Sequence, residues 1–260
     1  MKNRNVVLIK KVLPSLFLLA AIAVLAALSF LPSLRSAPAA TVRSASLDES
    51  ALAALSECRA YLDGHDFDTA LQGSIRAKVF GIPYVLKVVG GRSVRGGNVV
   101  EYGESASAFA KAAVKTEFRD GKYYVAHGDY KSKSKSFEYG APTELSQADY
   151  TAAYGKPVTG LVKYELDDSV ISAARVDENT FAFALDPTRA AEFSRHAVKT
   201  ALDSKAYPEY SNVEFTLVTD GARPLRVTCR EQFRADKFGG THCVVEYVET
   251  FEYSDGLQGD

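Results

Sequence analysis

VEFTLVTDGARPLRVTC, residues 213–229, alternates apolar and polar side chains on either side of Asp220-Gly221-Ala222. Alternation of this kind marks a half-buried strand, and a Gly-containing break between two such runs marks a hairpin. Val213, Phe215 and Leu217 share one face, as do Leu225, Val227 and Cys229 on the next run. Cys243, Val245 and Tyr247 repeat the pattern beyond a second break near Asp236. A turn at 220–222 sets Leu217 against Leu225 and Phe215 against Val227. In the second hairpin, opposing Cys229 to Cys243 also opposes Val227 to Val245 and Leu225 to Tyr247. The same register sets Arg226 against Glu246 on the other face, so apolar and charged pairs are satisfied together. The expectation is an antiparallel meander carrying a Cys229–Cys243 disulfide, with Cys58 left as a buried thiol; three reduced thiols are the alternative.

The period changes toward the N-terminus. A helix is expected over 47–62, with Ser46 and Glu49 as a capping box, Asp63-Gly64 as its stop, and Leu47, Ala51, Leu55, Cys58 and Leu62 on one face. From about residue 69, Leu71, Ile75 and Val79 alternate with polar residues. Further strand-like runs lie at 84–89, 98–103 and 122–130, separated by Gly90-Gly91, Gly96-Gly97 and Asp120-Gly121. Residues 107–118 read equally as an Ala-rich helix capped by Ser107 or as a strand. Ser146 and Gly155 bracket a short helix, and strands are expected at 160–166, 169–176 and 180–185. Asp186-Pro187 then reads as N-cap and first residue of a helix reaching about Leu202. The fold class is α+β: a single antiparallel sheet, meander or half-barrel, with two or three packed helices.

Val12–Leu34 is 23 residues without a charge, enough to cross a ~30 Å hydrocarbon layer. Lys2, Arg4, Lys10 and Lys11 precede it, which puts residues 1–11 in the cytoplasm and the remainder outside. The organisation expected is a tail (1–11), a transmembrane anchor (12–34), a linker (35–46), a domain (47–254) and a C-terminal tail (255–260). Ala37-Pro38-Ala39 offers the rival reading, a cleaved signal peptide and a secreted domain. Residues 1–40 carry five basic and no acidic residues, so the other 220 carry 26 basic and 32 acidic ones and are net −6. That balance argues against nucleic acid as a partner and against a general attraction to anionic lipid.

Catalytic signatures are scarce. His65, His127, His196 and His242 fall in no metal-ligand spacing, and G-x-S-x-G is absent. Ser132-x-x-Lys135 lies within an alternating KSKSKS run and reads as a solvated edge or loop. Asp167-Asp168 reads as a turn. No catalytic residue, cofactor or metal is assigned, and the reading leans away from an enzyme. GGRSVRGGN, residues 90–98, brackets Arg92 and Arg95 with glycines; it reads as a hairpin turn or as a loop that holds an anion or a partner.

The order of elements, an amphipathic helix followed by a long antiparallel meander with inserted helices, resembles the lipoprotein-carrier (LolA-like) half-barrel domains over about residues 46–253. The resemblance implies a curved sheet around an apolar cavity and a non-enzymatic module for lipid or another apolar ligand. The expected anchor distinguishes this chain from a freely diffusing carrier. A protein-interaction or sensory domain working with a membrane partner, and an envelope hydrolase, are the alternatives.

Overall fold

The computed structural model describes residues 46–79, 82–107, 111–154, 169–190, 206–235 and 240–253. The first helix is α1 (Glu49–Gly64). Seven strands follow: β1 (Phe67–Val79), β2 (Ile82–Arg95), β3 (Asn98–Ala106), β4 (Lys111–Arg119), β5 (Lys122–Lys131), β6 (Ser136–Tyr139) and β7 (Thr143–Leu145). After α2 (Gln147–Tyr154) come β8 (Val170–Arg175), β9 (Thr180–Leu185), the short α3 (Pro187–Ala190), β10 (Glu209–Asp220), β11 (Arg223–Ala235) and β12 (Thr241–Tyr253). They form one open antiparallel sheet of 12 strands in the order β6-β5-β4-β3-β2-β1-β12-β11-β10-β9-β8, with β7 against β5. Two meanders are thus joined along β1 and β12, the first and last strands of the domain.

α1 packs on one face of this sheet, called the inner face here. Ala51, Leu55, Cys58 and Leu62 are its buried residues, as the apolar stripe requires. The first three join a cluster with Leu71, Ile75, Leu86, Phe183 and Phe215, while Leu62 joins a second with Phe67, Val94, Val99, Tyr123, Tyr150 and Phe251. Removing each such leucine from water contributes about 1.5–3 kcal/mol. The cap is two residues later than expected: Asp48, not Ser46, accepts from the backbone N–H groups of Ser50 and Ala51 at 2.8 and 3.1 Å. Ser46 and Leu47 are drawn instead into a parallel bridge with Ala173, which leaves Leu47 outside the buried stripe and 55% exposed.

Of the ambiguous run 107–118, residues 111–118 lie in strand β4, each with a partner on β3, and 108–110 lie outside the described residues. Ser146 caps α2, accepting from the backbone N–H of Asp149 at 3.1 Å. Asp186 accepts from the N–H of Thr188 at 2.9 Å, as expected for the cap of α3. The strand expected at 160–166, and the continuation of the third helix to Leu202, lie outside the described residues.

Both C-terminal hairpins depart from the expected register. In β10–β11 the turn holds only Gly221 and Ala222, with Asp220 opposite Arg223, and Gly221 has φ +58. An irregularity between Val218 and Thr219 then leaves Leu225 unpaired and 37% exposed, and sets Leu217 opposite Val227 and Phe215 opposite Cys229. Pro224 explains the place: a residue without an N–H is tolerated where the ladder is interrupted. In β11–β12, Cys229 opposes Tyr247 and Cys243 opposes Phe233. The disulfide expectation is therefore corrected: Cys58, Cys229 and Cys243 are all buried free thiols. The expected register and the observed one have the same face parity. Arg226 and Arg230 are four residues apart, so either can oppose Glu246, and Arg230 does. Gly240, at φ +88, takes a left-handed conformation immediately before β12.

Candidate functional site

Gly90-Gly91 does not separate two strands but lies inside β2, where a Cβ on Gly91 would stand 2.5 Å from the carbonyl oxygen of Thr69. The hairpin turn of this stretch is Gly96-Gly97, both with positive φ. The sequence-predicted pair is divided: Arg92 is 4% exposed among buried residues, whereas Arg95 is partly exposed and pairs with Asp68.

Arg92 belongs to a polar row that crosses the inner face. Register places Thr69 beside Arg92, Arg92 beside Glu101 and Glu101 beside Thr116 on four successive strands. All four are buried. The Arg92 guanidinium forms an ion pair with the Glu101 carboxylate. The Arg92 backbone N–H donates to the Thr69 hydroxyl at 3.1 Å. Val125 ends the row on β5 and Phe251 on β12. One inner-face step from Phe251, on the same strand, stands Glu249, with no exposed surface.

Glu249 is the exceptional group. Neither carboxylate oxygen has a hydrogen-bond partner. Burial raises its pKa well above the usual carboxylate range; Arg92 and the nearby Thr69 hydroxyl pull in the other direction, and Glu101 adds to the rise. The Thr69 hydroxyl is thus close enough to act on Glu249, yet makes no well-formed hydrogen bond to it. An unpaired buried carboxyl costs several kcal/mol when ionised and is held protonated instead. Its neighbours along β12, Tyr247 and Phe251, belong to the two apolar clusters, so Glu249 lies at the boundary between them.

A third inner-face acid, Glu231, behaves differently. It is 1% exposed and accepts from the Tyr247 hydroxyl at 2.9 Å. The cysteines on this face are inert: burial raises the Cys58 and Cys243 thiols to about 12 and pushes Cys229 up as well.

At one end of the sheet a pocket of ≈ 290 Å³ opens between the C-terminus of α1 and the β2–β3 turn, lined by Leu62, His65, Asp66, Val94, Gly97 and Val99 among others. His65 serves the helix end, its Nδ1 lying 2.7 Å from the Tyr61 carbonyl and its ring stacked on Tyr61 at 3.9 Å. Among the described residues no cluster of three His, Cys, Asp or Glu could hold a metal ion.

Glu101, Glu231 and Glu249 were missed in the sequence, although they leave a signal there. Each occupies an apolar-parity position, in Val99-x-Glu101, Cys229-x-Glu231-x-Phe233 and Tyr247-x-Glu249-x-Phe251. An acid on the buried side of an alternating strand is the anomaly to look for.

No family model matches the chain, and no curated protein does. Similar solved structures include a putative outer membrane lipoprotein-sorting protein domain from Vibrio parahaemolyticus, at 11% identity and TM-score 0.32, covering 81% of this chain and 95% of that one. A DUF1329 family protein from Desulfovibrio piger is similar at 10% identity and TM-score 0.30, with coverage of 81% and 95%. A LolA superfamily protein from Nitrosomonas europaea is similar at 9% identity and TM-score 0.27, with coverage of 79% and 94%. The group named from element order reappears among these structures; none of them transfers a ligand or a role to this chain.

Proposed function

We propose that this chain is a membrane-anchored, extracytoplasmic binding module that holds an apolar or amphiphilic ligand against the inner face of a half-barrel sheet. The observation that carries the reading is Glu249, wholly buried at the seam of two apolar clusters with no donor for either oxygen. Buried polar groups are nearly always satisfied, and an orphan in a native structure calls for a complement. A ligand whose chain lies among the aromatic and aliphatic residues, and whose hydroxyl, amide or amine reaches Glu249, supplies one. Anionic head groups suit the face less well, since its buried ionisable groups are three acids, Glu101, Glu231 and Glu249, against Arg92 alone, and an added negative charge would favour ionising none of them.

The anchor belongs to the proposal. Among the described residues no helix is long and apolar enough to cross a membrane, and 12–34 lies outside them. Protease added to intact spheroplasts is expected to remove the domain and leave a membrane-bound N-terminal fragment; a mature N-terminus near Ala40 would mean cleavage instead.

The ligand reading is tested by mass spectrometry of organic extracts from gently purified full-length protein, beside uptake of fluorescent fatty alcohols and fatty acids. A co-purifying amphiphile and preference for the alcohol, reduced in Glu249→Leu, are expected. An empty extract together with no uptake of either probe would remove the reading.

A further inference from the structure

The antiparallel pairing sends the β1–β2 and β5–β6 connections to the same end of the sheet, since Val79 closes on Ile82 and Lys131 closes on Ser136. The β2–β3 and β4–β5 turns lie at the other end. Lys78, Lys87, Lys131, Lys133 and Lys135 are all exposed at or near the first end. Among the described residues of β1–β6 the acids nearest them are Glu104, Asp129 and Glu138, of which Glu104 accepts from the Tyr139 hydroxyl at 3.2 Å and Glu138 pairs with Lys131 at 3.1 Å. At the opposite end of these strands Asp66, Asp68, Glu117, Asp120 and, on β7, Glu144 stand with Arg95, Arg119 and Lys122, which pair with Asp68, Glu117 and Glu144 and leave that end net acidic. The acidic net charge of the domain therefore hides a division into a lysine end and an acidic end.

The lysine end also carries exposed aliphatic side chains. Among the described residues β3 pairs with β2 from Lys87 onward, and the first residues of β2 lie beyond that pairing. On that extension Ile82 is 69% and Val85 52% exposed, while Leu86 between Val85 and Lys87 is buried in the core. From β2 to β5 the lateral distance is about 14 Å, three strand spacings.

We infer that this end docks on an anionic phospholipid bilayer, Ile82 and Val85 entering the interface and the lysines meeting the head groups. Exposed aliphatics beside lysines separate this surface from a purely solvated charge run, and from an acidic protein partner, which would use the lysines but not Ile82. The inference does not depend on an inner-face ligand. A tether through 12–34 would make docking intramolecular and so favour it further. Each lysine at an anionic surface multiplies the docked fraction about fivefold, so reversing three is expected to lower it at least a hundredfold.

The chain contains no tryptophan, so Ile82→Trp places a single reporter at the contact. Full-length Ile82→Trp is reconstituted in phosphatidylcholine vesicles with or without phosphatidylglycerol, using brominated acyl chains as quenchers. Quenching is expected only with phosphatidylglycerol, lost in added salt and in the background K131E/K133E/K135E. It is expected to survive Lys122→Glu at the acidic end, a control for general charge effects, and Val85→Trp gives a second reporter. Equal quenching in both lipids would overturn the electrostatic docking. No quenching in either, with these lysines nonetheless protected from acetylation in native membranes, would assign the end to an acidic protein and overturn the lipid proposal.

Discussion

Glu231 and Glu249 sit on neighbouring strands, on the same face, with almost no exposed surface, yet their surroundings differ. Glu231 lies within a single apolar cluster and takes the Tyr247 hydroxyl at 2.9 Å. Glu249 stands where two clusters meet and has no donor for either oxygen. Arg92–Glu101, across the seam, is a third arrangement: a buried ion pair. A buried acid with a dedicated partner holds strands in place; one without a partner destabilises the isolated domain and is the group on which a ligand can act. On a face that is otherwise uniformly buried, the presence or absence of a donor separates an acid that holds strands together from one that can meet a ligand.

The largest effect is expected from Arg92→Met, which leaves Glu101 in the core without its guanidinium. Breaking a buried pair costs about 3–5 kcal/mol, readable by urea unfolding. A loss under about 1 kcal/mol would show that the seam admits water and that burial is not what distinguishes it. Tyr247→Phe removes a donor to Glu231, and a buried acceptor that loses its hydrogen bond costs about 1–3 kcal/mol. Ligand uptake should be unchanged; a loss of uptake equal to that of a Glu249 variant would erase the distinction between the two acids.

Glu249→Gln sharpens the comparison through pH. The folded pKa of Glu249 is raised above its unfolded value. The folded state therefore keeps a proton that the unfolded state releases, and this contribution to stability is lost as pH rises from about 4.5 toward the folded pKa. The slope is at most about 1.4 kcal/mol per pH unit. Glu249→Gln should remove that decline, so the difference between variant and parent grows with pH in unfolding experiments. A constant difference across pH 5–8 would mean that Glu249 is ionised and solvated. The smallest effect belongs to the outer face, where Arg76 and Glu246 pair at 3.3 Å with side chains 61% and 38% exposed. Arg76→Ala should change stability by about 0.2–1 kcal/mol, diminishing in salt; a larger loss would place the outer face among the buried sites.

Much of the architecture was legible along the chain. The alternation at 213–217 and 243–247, the stripe Ala51-Leu55-Cys58-Leu62, and the caps Ser146 and Asp186 each report a local preference, and local preferences act over a few residues wherever the chain is placed. Face parity was equally legible, because it follows from the period of the strand. Register was not. Arg226 and Arg230 offer Glu246 equivalent partners, so pair counting alone leaves two solutions, of which the structure takes the one that pairs Arg230.

The candidate site shows the same division. The glycine-flanked stretch around Arg92 and the acids that interrupt the apolar faces of β3, β11 and β12 can be read along the chain. The meeting of Arg92 with Glu101 and of Tyr247 with Glu231, and the position of Glu249 at the seam without a donor, arise from strand packing. Glu101 and Glu249 are far apart along the chain, and they share one face because β1 pairs with β12, the first and last of the described strands. Whether a buried acid is satisfied depends on side chains brought from distant strands, and no spacing within one strand records it.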